Sequence, residues 1–481
     1  REHRLVREQL ARVGRPEAAD RLIALLAAQA RQMAERLRDP DRTTFVWVTL
    51  PESLSVAETA DGLGALDRAG IPVREILVNR VLPDGGACPL CDGRRAHERK
   101  AVADVRRRFG RGRTIRLVAA AITEPRGAKA LASLARDTAR RSPMTARSKP
   151  ASDRSLTHRP SAISHQPAAI FSEATSPLSG ASLLFFGGKG GVGKTTVAAA
   201  AALQLARADR ERRVLLLSTD PAHSLGDVLR SEIGDRARSV RTVPANLVVR
   251  ELDAAQALAD RRIRFEAALD DIAAAVGIHG ASAMMGASEL MHLAPPGIDE
   301  LFGVLSVVAA RAAYDVIVVD TAPTGHALRL LEMPEAARDW LQVLLRVLLK
   351  YRSLVRPGQL AAELVETSKS IRGLITLLRD ATMTRFVVVT RAAELPRRET
   401  ERLLARLRRL RLLVPAIVVN ARTLLPGRCA RCRAVDAAER RELARLRRTC
   451  SRRCAIIQTP LTASPPRGAA ALDRWSRRWV R

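Results

Sequence analysis

The sequence predicts an α/β fold: a doubly wound, mostly parallel sheet of the P-loop NTPase kind, with a helical subdomain, present as a tandem repeat. Three observations carry this expectation. Short apolar runs alternate with helical patterns along the chain, as parallel strands buried on both faces require. One run, Leu183 to Gly187, breaks into the glycine-rich stretch GKGGVGK and then a helix. Finally, marks recur at a constant offset of 341: Phe45 and Phe386, Glu58-Thr59 and Glu399-Thr400, Asn79 and Asn420, Cys88 and Cys429, Cys91 and Cys432, and Pro125-Arg126-Gly127 and Pro466-Arg467-Gly468.

Taken in order, residues 1–40 read as helices, because Leu5, Leu10, Leu22, Ile23, Leu25, Leu26, Met33 and Leu37 fall on helical spacing. Strands follow at Thr44 to Thr49, Val73 to Asn79 and near 114–119. Helices over about 55–69 and 95–108 separate them, and VLPDGGACPLCDG is expected to be a loop. This copy has no phosphate loop, since the offset puts the counterpart of Gly188 ahead of residue 1. It reads as the C-terminal half of a repeat, truncated or degenerate. Residues 141–180 are Ser-, Pro- and Ala-rich without period, a linker by composition. The complete copy, 181–481, has strands at 183–187, Val214 to Thr219, Asn246 to Leu252, Tyr314 to Asp320, Arg385 to Thr390 and Pro415 to Asn420. Its helices fall over 194–207, up to about 292, over about 335–381 and at the end. The expected domains are therefore 1–140, a linker over 141–180, and 181–481.

A hydrophobic fraction of 47% is that of a globular chain. The net charge of +31 raises nucleic acid as a partner. The excess comes from 74 arginines against seven lysines, a compositional bias, and aromatics for stacking bases make up only 3%, so no nucleic acid is expected. Two of the seven lysines, Lys189 and Lys194, lie in the glycine-rich loop. No apolar run approaches the roughly 18–20 residues that span a bilayer. The chain opens on Arg1 rather than Met, which leaves room for a start upstream. The expectation is a cytoplasmic protein that acts at a membrane through a partner. Six cysteines in 481 residues make no disulfide framework, and two CxxC pairs point to metal or redox chemistry.

Gly188, four residues, then Gly193-Lys194-Thr195 is the spacing at which successive backbone N–H groups of Gly188, Gly190, Gly191, Val192, Gly193, Lys194, Thr195 and Thr196 surround phosphate oxygens at a helix N-terminus. Lys194 would bridge the β- and γ-phosphates, and Thr195 would give its hydroxyl to Mg²⁺. Asp220 and Asp320 close apolar strands and so belong at the carboxyl edge of the sheet, where ligands bind in open α/β folds. The alternative for either is a helix cap. Lys189 adds a second cation, and KGGVGKT looks like the deviant Walker A signature.

Together GGKGGVGKTT (187–196), STDPAHSLGD (218–227), PPGIDE (295–300), DTAPTGHALR (320–329), the strand end at Asn420 and PRG at 466–468 resemble the arsenical-pump ATPase family (ArsA), which includes the ATPase that delivers tail-anchored membrane proteins. The resemblance spans 181–481 fully and 1–140 as a C-terminal half. It implies ATP and Mg²⁺ as cofactors, with Lys189 reaching a partner's nucleotide across a dimer interface. Asp220 would position or deprotonate water in switch I, and Asp320 would head switch II and hold Mg²⁺ through water. Asn420 would read the adenine edge, with the Pro466 loop against the base. His326, in switch II, is either coupled to a metal site or a plain hydrogen-bonding histidine.

Zinc in structural sites takes four ligands. Members of the targeting type hold such a zinc at their dimer interface, which implies Cys88, Cys91, Cys429 and Cys432 as its ligands here; a redox switch or inert thiols are the alternatives. Cys450 and Cys454 read as two thiols on one helical face. The tandem architecture puts export of an anion or metalloid at a membrane exporter first, with delivery of tail-anchored proteins to an insertion receptor as the alternative. A DNA-partitioning ATPase comes third, since DPAHS and DTAPTGH fit it poorly. The absence of cysteine between 181 and 428 departs from the arsenite pump. Met284, Met285 and Met291 would line a client groove or an ordinary helical core. The expected assembly is a pseudo-dimer of the repeats or a homodimer through 181–481.

Overall fold

The computed structural model describes residues 18–85, 87–140, 178, 180–219, 224–252, 311–321, 358–424, 426–427, 429–450 and 454–481. The chain divides into two compact units, one of Arg1–Ala121 and Pro125–Leu156, the other of Ile122–Glu124 and Thr157–Arg481.

In the first unit the order is α1 (Ala18–Arg38), β1 (Phe45–Thr49), α2 (Ser53–Arg68), β2 (Val73–Val81), α3 (Pro89–Phe109), β3 (Thr114–Ala119) and α4 (Gly127–Arg140). The strands form a parallel sheet in the order β1-β2-β3. Val56 and Leu63 from α2 and Val102 and Val105 from α3 pack on Val73, Ile76 and Val78 of the central strand, so one face of a three-stranded sheet makes the core.

Helix α3 starts at Pro89, earlier than the residue 95 expected from periodicity. Proline at the first helical position suits its fixed φ, and Asp92 accepts the Cys88 N–H at 2.9 Å, which closes the first turn. That backbone bond, and then Arg95, hold the Asp92 carboxyl below its ordinary range. The CxxC pair therefore lies on a helix end rather than in a loop.

The second unit contains β4 (Leu183–Gly187), α5 (Lys194–Ala208), β5 (Val214–Ser218), α6 (Ser224–Leu229), β6 (Arg238–Ser239), β7 (Leu247–Glu251), β8 (Val316–Asp320), α7 (Gly358–Arg379), β9 (Thr384–Arg391), α8 (Glu394–Arg409), β10 (Ala416–Arg422), α9 (Ala430–Thr449), β11 (Ala455–Pro460) and α10 (Ala469–Ser476). Its eight strands run β11-β10-β9-β4-β8-β5-β7-β6, all parallel except the two-residue β6, which pairs antiparallel with β7. Strand β6 is too short to announce itself in the sequence. Alternate residues of the central strands feed two cores. Leu184, Phe186, Leu216, Val318 and Val389 face α5 and α10, whereas Phe185, Leu217, Ile317 and Val388 face α7, α8 and α9. Five consecutive alanines, Ala198 to Ala202, are fully buried on α5, and their small side chains let the helix settle close on the sheet. The expected helices before 292 and over 335–357 lie outside the described residues. No helix among the described residues is long and apolar enough to cross a membrane.

The two units share their internal bonding at the 341 offset. Thr59 donates to Thr49 at 2.9 Å, and Thr400 to Thr390 at 2.8 Å. Glu98 accepts the Leu82 N–H at 2.7 Å, and Glu439 the Thr423 N–H at 2.9 Å. Register slips between Val78 and Val81 of β2 and between Val419 and Arg422 of β10, with Arg80 and Ala421 both at positive φ. Their surroundings differ. Strand β9 is flanked by β4, while β1 has no such neighbour among the described residues. Accordingly Val46 and Val48 are 42% and 56% exposed where Val387 and Val389 are buried, and Leu131 is 52% exposed where Leu472 is buried against α5. In denaturant unfolding, Leu472→Ala is expected to cost about 2–5 kcal/mol. Leu131→Ala is expected to stay within about 0.5 kcal/mol.

Candidate nucleotide site

Strand β4 lies between β8 and β9. The chain leaves it toward β5 on one side and returns to β9 on the other, so strand order reverses at its carboxyl end. Such a reversal opens a crevice in a parallel sheet. The glycine-rich loop 188–193 sits there, and two of its glycines are required by close approach. A Cβ on Gly188 would lie 2.0 Å from the Val389 carbonyl oxygen. One on Gly193 would lie 2.3 Å from Asn420 Nδ2, and Gly193 also has φ +89°. Gly193 caps α5 without a side-chain bond, so the first-turn N–H groups face the loop with the positive end of the helix dipole.

Lys194 and Thr195 occupy that first turn and are buried. Lys189 is half-buried, with Nζ 3.2 Å from Glu399 of α8. A pair this open to solvent is worth under about 1 kcal/mol and leaves the lysine able to move. Asp320, wholly buried at the end of β8, accepts from Ser218 Oγ at 3.4 Å. Thr321 then ties β8 to the loop strand, since its N–H and hydroxyl both donate to the Phe186 carbonyl, at 3.1 and 2.9 Å. Asn420 Nδ2 donates to the Val192 carbonyl at 2.7 Å. Gly468 N–H, next to Pro466-Arg467, donates to the Val228 carbonyl of α6 at 2.7 Å. The fold therefore brings Gly188 to Thr195, Asp320 and Asn420 to one sheet edge. Asp220, His326, the 295–300 stretch and Met284, Met285 and Met291 lie outside the described residues.

Two further residues went unnoticed in the sequence. Glu251, buried at the end of β7, accepts the Leu225 and Gly226 N–H groups at 2.6 and 3.2 Å, and so anchors the start of α6, the helix that follows the DPAH stretch. Its signal was a carboxylate closing an apolar strand. Thr459, on β11, bonds Asn420 and carried no signal of its own.

Each unit carries its CxxC in the same local setting. Cys88 is the N-cap of α3 with Cys91 buried in its first turn; Cys429 is the N-cap of α9 with Cys432 buried likewise. Cys450 and Cys454 do not share a helical face. Helix α9 ends with the Cys450 N–H on the Leu446 carbonyl and the chain turns extended, so Cys454 stands just ahead of β11. The Cys454 thiol donates to the Ala455 carbonyl at 3.9 Å; its proximity to Cys450 holds the Cys450 thiol below its ordinary range, and that proximity together with burial pushes the Cys454 thiol up.

The sequence model of the anion-transporting ATPase family (ArsA) matches residues 6–139 and 181–480. Among similar proteins, "ATPase get3" of Aspergillus terreus and of Aspergillus niger are each 33% identical over 312 residues, covering 61% of this chain and 88% of theirs. "ATPase GET3" of Pyricularia oryzae is 32% identical over 316 residues, 62% of this chain and 90% of its own. Gly193→Ala, which strains φ and drives a methyl into Asn420, is expected to weaken ATP binding roughly tenfold to a hundredfold. Titration with a fluorescent ATP analogue reads the change.

Proposed function

The chain belongs to the anion-transporting ATPase (ArsA) family and is an ATPase, and from that premise we propose that it hydrolyses ATP at the loop 188–196 to drive delivery of tail-anchored membrane proteins to a membrane receptor. The observation that carries the site is the buried pair Lys194 and Thr195 at an uncapped helix N-terminus, on the same sheet edge as buried Asp320. Lys194 neutralises the β- and γ-phosphates. The Thr195 hydroxyl and the Asp320 carboxylate are hard oxygen donors that suit Mg²⁺, which supplies charge neutralisation at the transferring phosphoryl group. Asp220 orients or deprotonates the attacking water, and Asp320 heads the segment that senses the γ-phosphate. Asn420 and Pro466 border the adenine. Lys189 leaves Glu399 to reach the nucleotide of a facing half.

Delivery ranks above export for two reasons. The relatives found carry the get3 name, the targeting branch of the resemblance, and the chain has no cysteine between 181 and 428 for a metalloid. Export stays the second reading because of the tandem repeat. For the CxxC pairs we propose structural zinc, held by Cys88, Cys91, Cys429 and Cys432. Two pairs at corresponding helix N-termini supply the four thiolates that a closed tetrahedral site takes.

Lys194→Ala is expected to abolish ATP hydrolysis, a loss of at least about a hundredfold in kcat. ATP-dependent capture of a peptide with a hydrophobic C-terminal helix, alongside a flat ATPase response to arsenite and antimonite, is the result expected for delivery. Stimulation by either oxyanion without peptide capture would instead support export. The purified protein is expected to carry zinc by elemental analysis, and to lose it on Cys88→Ser or Cys432→Ser.

A further inference from the structure

The amide of Asn420 has one possible orientation. A backbone carbonyl only accepts, so the atom 2.7 Å from the Val192 oxygen is Nδ2, and Oδ1 faces the other way. There it meets Thr459, wholly buried on β11. The Thr459 hydroxyl donates to Asn420 Oδ1 at 2.6 Å and accepts the Ala421 N–H at 3.1 Å. Both roles of the hydroxyl are thus committed. Asn420 and Ala421 lie where the register between β10 and β11 slips, and Thr459 stands opposite that bulge.

We propose that Thr459 is a positioning residue for ATP hydrolysis. It orients the Asn420 amide, Asn420 holds the Val192 carbonyl, and this fixes the Val192–Gly193 peptide at the mouth of α5, where the phosphates are received. The proposal rests on the loop 188–196 being the nucleotide site. The first unit supplies an internal control. It has the same asparagine, Asn79, the same register slip and the same positive φ at Arg80, yet the counterpart of Thr459 at the 341 offset is Val118. A valine, equal in shape, therefore supports the bulge. What the first unit lacks among its described residues is a phosphate loop, and the hydroxyl is present only where there is such a loop to hold. Without that hydroxyl the Asn420 amide can rotate and present Oδ1 to the Val192 oxygen, which repels it.

Steady-state hydrolysis by the full chain tests this with Thr459→Val, Thr459→Ser, Asn420→Ala and the double variant Asn420→Ala/Thr459→Val. Thr459→Val is expected to lower kcat/KM for ATP about tenfold, and Thr459→Ser to restore it. On the Asn420→Ala background, Thr459→Val is expected to add nothing, because two residues in one hydrogen-bonded chain are not additive. A merely structural Thr459 would lower the melting temperature while leaving kcat and KM of the folded protein unchanged. That result, or full additivity with Asn420→Ala, overturns the proposal. Undiminished hydrolysis by Lys194→Ala would overturn the reading of the loop itself, whatever Thr459 does.

Discussion

The second unit depends on the close approach of the loop backbone to its neighbours at the end of β4. The loop runs so near its neighbours that Gly188 meets the Val389 carbonyl and Gly193 meets Asn420, and neither position has space for a methyl group. This closeness requires that β9 lie beside β4, and β10 beside β9, with their ends in register. It also requires that α5 descend tightly onto the sheet, which the row of buried alanines permits. The helix then opens without a side-chain cap, with Lys194 and Thr195 in its first turn. The sheet's central apolar runs, the glycines and the alanines thus serve one geometric end.

The tandem copies show how the same local chemistry reads in two surroundings. The threonine pair behind each first strand, the glutamate that accepts a strand-end N–H, and the bulge after each asparagine are built alike. What changes is the neighbour. With β4 and α5 in place, Val387, Val389 and Leu472 are core; without counterparts among the described residues, Val46, Val48 and Leu131 face solvent. Burial here follows from which elements lie alongside, and the residues themselves are nearly the same. Arg422, which meets Glu439 and lies 3.4 Å from Asp436, is replaced by Val81 at the offset, and Glu98, the counterpart of Glu439, pairs instead with Arg94 at 3.1 Å.

Much of this was legible beforehand where the cause is local. Apolar runs marked the strands because parallel strands are buried on both faces, and the glycine spacing marked the loop because only glycine meets its contacts. The start of α3 was misplaced because a proline and two cysteines hide a helix end that an aspartate three residues on completes. Strand β6 consists of two residues paired to β7, and no pattern precedes it. Thr459 and Glu251 were missed for another reason. Their partners lie 39 and 26 residues away, so their roles exist only once the sheet has formed.

The proposal that matters most is that nucleotide binds to the second unit at the loop 188–196. Backbone hydrogen exchange of the full chain, with and without Mg²⁺ and a non-hydrolysable ATP analogue, addresses it directly. Slowed exchange confined to residues 188–196 and to the ends of β8 and β10, with β1 to β3 unchanged, is the result predicted. Ligand-dependent protection along Phe45–Thr49 or Val73–Val81, or none at 188–196, would contradict it.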